Sequence, residues 1–543
     1  MGPVFELAQA DQTLTQPIEA WNRAGNHPLR NGVERSVPQA LLVVLEKTSS
    51  GEDLRRFGGG VLARSAGGDA TVWGISIRTD KAWRTRIRLG DVRLPKDTRM
   101  WVYGENGETV GPFGTELKSP DGTLWTPSIG GPEIRLEVSI PDAAWDDENP
   151  PSLRIEAVAE IFRLNDKGVP QLGENFQLKD TSCLIDAACV GTGDWAPMDW
   201  VPRAVAYLEF MEGGSGYLCT GTLVNDKDQS TWVPYLLTAR HCFSSQAAAS
   251  TLDAFFDYIQ SPCLGSAPPL GSLPRSTGST LLATSSTSDF TFVRLNQLPS
   301  GRSLLGWTTT EPTNGLSLYR VHHPQGLPAS YTDYSKVSNP TGGTCGLSTT
   351  NFHFEEFENG GSFGGSSGSA LLNGNGQIIG QLGGGCGPNP SDGCDYSNLD
   401  YDGKFAKTFP LISQYINVEG NSCVQDLDGG VVCLRSGRFE FTGTWTDFAN
   451  PANTLPLIWT PVENINATAG FQNNPSGIQI VMRVADGCSL TGTWWVWLGG
   501  FTDAGWNITV RDTVTGNQRN FSKSRQGGVF PTTTRDSTTF TCN

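Results

Sequence analysis

The chain has 543 residues, 37% of them hydrophobic and 10% aromatic, which is too long for one core and too apolar for wholesale disorder, so two to four domains are expected. Its formal charge of −16 excludes the basic face that nucleic acid or an anionic membrane requires. With 65 glycines, 33 prolines and short alternating apolar runs, the composition points to an all-β protein with many turns.

The opening MGPVFELAQA has no basic stretch followed by an apolar one, and a secretory signal is expected to have been removed ahead of it. Cysteine-free strands follow at Leu41–Leu45, Val72–Ile77, Met100–Tyr103, Ile134–Ile140 and Leu153–Val158. Ile134–Ile140 alternates strictly, one face apolar and one polar, as a half-buried antiparallel strand does. Residues 1–165 therefore read as a β-sandwich. Residues 166–180 are polar and without period, an exposed linker. The segment 181–418 holds Cys183, Cys189, Cys219, Cys242, Cys263, Cys345, Cys386 and Cys394, with four of the five histidines. The last segment, 419–543, has alternating strands at Arg438–Trp445, Ile478–Val484, Thr493–Trp497 and Asn507–Arg511. No internal repeat and no long helical period is found. Twelve cysteines at wide spacing, with no Cys-x-x-Cys, read as six disulfides and an oxidising compartment, so the protein is expected to be secreted. No stretch reaches the roughly 20 apolar residues of a membrane-spanning helix.

The run GGSFGGSSGSALLNGNGQIIGQLGGG, Gly360–Gly385, has the composition of a flexible linker, but its Gln377–Leu382 reads as a short strand that ties the glycines into folded structure. A serine there becomes a nucleophile only with a base, itself held in one tautomer by a third group. YLLTARHCF offers His241 after an apolar strand and beside Cys242; TSDFTFVRL places Asp289 at the head of another. Either alone is commonplace. In the order His241, Asp289, Ser367 they follow the chymotrypsin class rather than the subtilisins or α/β-hydrolases. Adjacent His322 and His323 would face opposite ways on a strand and would not chelate together, so no metal is expected.

Taken in order, TSCLIDAAC, CTGTLV…LLTARHC, TSDFTFVRL, VHHP and GSSGSA…GQLGGG resemble the bacterial lysyl endopeptidase branch of the chymotrypsin-fold serine proteases, over roughly residues 181–416. The resemblance implies a double β-barrel between the N-terminal sandwich and a C-terminal sandwich-like domain. It implies that His241 is the general base, Asp289 its orienter and Ser367 the nucleophile, with the N–H groups of Gly365 and Ser367 facing the oxyanion. Ser362, Ser366 and Ser369 are then structural. Two positions depart from relatives. Ser366 stands where the animal enzymes have an aspartate that pairs with a freshly cut N-terminus. Gly361 stands where trypsin has its pocket-floor aspartate. The lysyl branch takes its pocket charge from beyond the Gly-rich strand, and in LDYDGKF Asp400 aligns best, with Asp392, Asp395 and Asp402 as rivals. The branch also carries a histidine where this chain has Gly383; Gly383 and Gly385 are expected to line an open pocket wall.

The family pattern, with nearest-neighbour pairing where it stops, implies Cys219–Cys242, Cys189–Cys263 and a bridge from Cys183 to Cys386 or Cys394, with Cys345 taking the other. Cys423–Cys433 and Cys488–Cys542 would close the last domain. The N-terminal segment resembles protease pro-regions, and Lys179 in the linker is the expected processing site. The C-terminal segment resembles β-rich domains appended to secreted bacterial proteins; its TGTWWVWLGGFTDAGW is expected to bury tryptophans rather than offer them to sugar. The expectation is a secreted, monomeric serine endopeptidase, a zymogen without cofactor, acting on protein or peptide substrates after Lys or Arg. A different residue preference, or a binding protein on a protease fold, are the alternatives.

Overall fold

The computed structural model describes residues 4–7, 12–25, 27–48, 54–165, 169–171, 182–227, 231–337, 345–390, 392–416, 423, 426–427, 429–435, 437–446, 453–463, 465–471, 477–513, 515–525 and 532–542. They form two compact units, Met1–Asn225 with Val233–Ile412, and Asp226–Trp232 with Ser413–Asn543. Lys179 lies outside the described residues.

In the first unit, a closed ring of six antiparallel strands runs Val205–Glu212, Ser215–Val224, Tyr235–Ala239, Phe290–Leu295, Ser279–Ser285, Asp253–Phe256. It closes because Arg275–Thr277, which pairs with Asp253–Phe256, continues into Ser279–Ser285 through Gly278 at φ +74°, a left-handed corner that suits glycine. A second ring runs Ser317–His322, Ala370–Leu372, Ile378–Cys386, Leu399–Lys404, Phe352–Asn359, Ser330–Val337 and back. Two such barrels in one chain are the chymotrypsin-like architecture.

The N-terminal strands form a sandwich. One layer runs Arg55–Phe57, Gly60–Arg64, Ala70–Arg78, Glu133–Pro141, Arg99–Gly104, Thr109–Phe113. The alternation read at Ile134–Ile140 sends Ile134, Leu136, Val138 and Ile140 into the core, against Ile87, Leu89 and Ile155 of the facing layer. That facing layer does not stop at the sandwich. Its strand Leu29–Val44 pairs with Ser152–Ile161 on one side and with Ser215–Val224 of the first barrel on the other. A buried ionic cluster joins the same two parts. Arg84 donates to Glu108 (3.0 Å) and lies 3.6 Å from Glu209, while Arg86 donates to the carbonyls of Thr126 (2.8 Å) and Thr251 (2.6 Å), 4.0 Å from Asp253.

Among the described residues, two twelve-residue helices, Gln12–Arg23 and Phe405–Ile416, were not foreseen from the sequence; each contains a proline, and each is too short to establish a long period. All six disulfides are formed: Cys183–Cys394, Cys189–Cys263, Cys219–Cys242, Cys345–Cys386, Cys423–Cys433 and Cys488–Cys542. Of the two partners left open for Cys183, the fold takes Cys394.

The second unit is a pair of five-stranded sheets around Phe441, Trp445, Trp459, Met482 and Ile508. Trp506 is buried and Trp494 packs on that core, while Trp497 turns outward, 40% exposed, with Arg535 over its ring.

Arg86 is fully buried beside a fully buried carboxylate, so its removal strands Asp253 without its largest compensating charge. Arg86→Leu is expected to lower the unfolding free energy of the first unit by about 3 kcal/mol, measured by denaturant titration.

Candidate active site

Ala239 pairs with Phe290 across two neighbouring strands of the first barrel. That register places His241, two residues beyond one strand, and Asp289, one residue before the other, at the same barrel end. Asp289 accepts from the His241 backbone N–H at 3.0 Å and meets its ring Nδ1 at 2.6 Å. To do so Asp289 takes φ +49°, a left-handed conformation uncommon for a residue with a side chain, and its carbonyl is tied down by the Arg240 N–H at 2.9 Å. With Nδ1 on the carboxylate, Nε2 is left as the acceptor; it is buried and has no hydrogen-bond partner among the described residues.

Ser367 comes from the second barrel and is pressed onto the first. Its carbonyl accepts from Thr220 N–H at 2.9 Å and lies 3.8 Å from the Sγ of Cys242. The next residue, Gly368, has φ +82°, and a Cβ there would sit 2.2 Å from Thr238 Oγ1 and 2.6 Å from Ala239 N. The turn before it has Gly365 at φ +96°. Among the described residues, neither the Gly365 nor the Ser367 N–H donates to a protein acceptor. The neighbouring serines are engaged: Ser362 with Asp400, Ser366 with His322, Ser369 with the Ser366 carbonyl.

A cavity of about 460 Å³ opens beside Ser367 and is walled by Ser362, Gly384, Gly385 and Asp400. Gly385 pairs directly with Asp400 across the strands. Asp400 is fully buried, accepting from Ser362 Oγ (2.7 Å) and Tyr334 OH (2.8 Å). Burial pushes its carboxyl up to about 6, against the pull of Arg320 and the Ser362 hydrogen bond. The rivals are placed elsewhere. Asp402 is bonded to Arg320 (2.6 Å), Asp395 is bonded to Ser397 in a turn, and Asp392 is exposed at the rim. Gly383 does not line the cavity, contrary to expectation: a Cβ there would come within 2.4 Å of the Tyr401 ring, which occupies that side of the strand. The absence of a floor carboxylate at Gly361 also has a steric cause. A Cβ at that position would meet Gly393 O at 2.3 Å and Cys183 Sγ at 2.6 Å.

His322 and His323 diverge, one to Ser366 and the other to the Leu327 carbonyl at 3.0 Å. Two clusters bring an aspartate near two cysteines, Asp186 with Cys189 and Cys263, and Asp486 with Cys488 and Cys542, but both cysteine pairs are disulfides and offer no thiolate.

The likeness to pro-regions is compatible with a covered cleft, but no local pattern marked the N-terminal residues that reach this site. Asn22, Arg23, Gly25, His27 and Leu29 form the opposite wall of the same cavity. Leu29 lies in contact distance of the Ser367 turn at Gly364, and the His27 ring stands edge-on to His241 with centroids 6.0 Å apart. Burial, then the charge of His241, lowers the His27 pKa from its ordinary value. Arg23 is turned to Glu19 of its own helix.

Residues 179–400 match a family model described as lysyl endopeptidase, C-terminal domain. A lysyl endopeptidase from Pseudomonas aeruginosa is 27% identical over 399 residues, covering 71% of this chain and 80% of that protein. Among solved structures, a thermostable serine protease, AL20, from an extremophilic microorganism is 16% identical, covering 40% of this chain and 96% of its own, at a TM-score of 0.29. Kallikrein-related peptidase 10 is 18% identical, covering 40% and 97%, at a TM-score of 0.28. At those scores the two structural likenesses carry no weight.

Gly368→Ala combines a forced left-handed side chain with overlap against the first barrel. It is expected to cost about 2–4 kcal/mol of stability in denaturant unfolding, and to cut hydrolysis as well.

Proposed function

We propose that this serine endopeptidase, which resembles the lysyl endopeptidases over residues 179–400, cuts after lysine or arginine with Ser367 as nucleophile, His241 as base and Asp289 as its orienter. The observation that carries this reading is the serine turn and a buried carboxylate on one cavity, with the Ser367 carbonyl 3.8 Å from the Sγ of Cys242, the residue next to the Asp289-bonded His241. Ser367 Oγ attacks the scissile carbonyl while His241 Nε2 takes its proton, and the imidazolium so formed is stabilised by Asp289. The unengaged N–H groups of Gly365 and Ser367 then receive the developing oxyanion. Collapse of the tetrahedral species returns the proton from His241 to the leaving amine, and a water repeats the sequence to release the acid. A basic side chain reaching Asp400 supplies a cation in direct contact, where the carboxylate otherwise has only the Ser362 and Tyr334 hydroxyls.

In this reading residues 181–418 are the catalytic domain, 1–165 a pro-region whose Asn22, Arg23, Gly25, His27 and Leu29 occlude the cleft, 166–180 a processing linker and 419–543 an accessory domain. Six disulfides support secretion into an oxidising compartment. A cut after Lys179 would uncover the cleft.

Four outcomes are expected. Ser367→Ala abolishes nearly all peptide hydrolysis, leaving at most about 10³- to 10⁴-fold over water, and a Ser367→Ala protein that still cleaves overturns the assignment. Asp400→Asn lowers kcat/KM for lysyl and arginyl substrates by about 10²-fold or more while sparing weak cleavage elsewhere. The charge on Asp400 is present above about pH 6 and lost below it, so inhibition by benzamidine should weaken by up to about tenfold per unit below pH 6. For processing, Ser367→Ala chains purified alone should remain full length and be trimmed to Asp180 when active enzyme is added. Unaided maturation of the variant would refute self-cleavage.

A further inference from the structure

Ser366 precedes the nucleophile and is fully buried, as are His322 and Thr332. Ser366 Oγ accepts the Phe363 N–H at 3.2 Å, so its own hydrogen is free to go to His322 Nδ1, 2.7 Å away. Nδ1 is then an acceptor, which puts the histidine's hydrogen on Nε2, and that atom meets Thr332 Oγ1 at 3.1 Å. Thr332 Oγ1 in turn donates to the Gly361 carbonyl and accepts the Gly361 N–H, both at 3.2 Å. Every donor in the chain has one acceptor, and both ends of the chain land on the segment that carries the turn, at Gly361 and at Phe363 with Ser366.

This order of hydrogens holds only while His322 is neutral. Burial, Arg320 and His323 all disfavour its protonation. The second barrel anchors the chain independently, because His322 and Thr332 belong to the paired strands Ser317–His322 and Ser330–Val337. The turn is also already formed in a chain whose N-terminal segment is still attached and lies across the cleft, with the Gly365 and Ser367 N–H groups unengaged.

We propose that His322, braced by Thr332, is a positioning residue that holds the oxyanion turn in its working shape through the Ser366 hydroxyl, without any charge from a cut N-terminus. It rests on the reading of Ser367 as nucleophile. Activation then uncovers a finished site, and the role given elsewhere to an aspartate and a new amine is carried by a neutral relay.

The test uses full-length chains taken through the same processing as the unaltered protein, with active sites titrated by a fluorophosphonate. Ser366→Ala and His322→Phe should each lower kcat by about ten- to a hundredfold, less than outright loss of an oxyanion donor, with KM within about threefold. The double variant should be no worse than the worse single, because both break one relay. His322→Asn, which keeps an acceptor near the place of Nδ1, should recover most of the loss. Hydrogen exchange at 361–366 in the unprocessed chain should quicken in Ser366→Ala and not in Ser362→Ala. If His322→Phe does not fold, Ser366→Ala and His322→Asn decide alone, since the first removes a single oxygen. Single variants with kcat within twofold of the unaltered protein, losses that multiply in the double, or losses confined to KM overturn the proposal. Ser367→Ala is the control that separates this failure from failure of the nucleophile assignment: its retained activity would refute the latter.

Discussion

The two barrels meet at a point where there is space for a hydrogen atom and no side chain. Gly368 lies against Thr238 and Ala239 of the first barrel, and the Ser367 carbonyl is bonded to Thr220 of the same barrel. This close approach presses the serine turn of one barrel against the strand of the other that ends two residues before His241. The cross-strand pairing of Ala239 with Phe290 supplies the other half of the constraint, because a shift of one residue would turn His241 and Asp289 to opposite faces. The left-handed Asp289 and the Cys219–Cys242 bridge then hold the pair in place. Strained backbone of this kind persists only where the surroundings over-determine it.

The same first barrel also receives the N-terminal strand. Leu29–Val44 is sixteen residues long because it serves two sheets, hydrogen-bonding Ser152–Ile161 and, at its beginning, Ser215–Leu218. Strand addition of this kind sets the direction of the preceding residues with main-chain bonds, and those residues are the ones that reach His241 and the cavity. The buried Arg84, Arg86, Glu209 and Asp253 cluster makes the association specific, since separation would expose or strand four charges at once. Occlusion of the cleft and cohesion of the unit therefore have one structural origin.

Much of this was legible in the sequence where the signal was local. His241, Asp289 and Ser367 each sit at the edge of a short apolar strand, so flanking residues announced them, and the alternation of Ile134–Ile140 announced a sandwich face. Asp400 was distinguishable from Asp402 only weakly, because on a bulged, glycine-rich pairing the face each carboxylate takes depends on register; the structure turns one to Ser362 and the other to Arg320. Gly383 was misplaced for the same reason. The strand beginning at Leu29 was read only from Leu41, since Arg30, Asn31, Glu34 and Arg35 do not look apolar; Glu34 and Arg35 are polar because Arg88 and Glu160 of neighbouring strands, not a core, receive them. Ser366, His322 and Thr332 are far apart in the chain, and no local pattern links a serine to a histidine 44 residues earlier.

The most direct test of the central claim is mass-spectrometric mapping of the adduct formed by a diphenyl phosphonate carrying a lysine-like side chain. The processed protein should be labelled on Ser367 alone, much faster than by the leucine-like analogue, with the difference lost in Asp400→Asn and with full-length Ser367→Ala chains unlabelled. An adduct on Ser366 or another serine, or equal rates for the two reagents, would contradict the site described above.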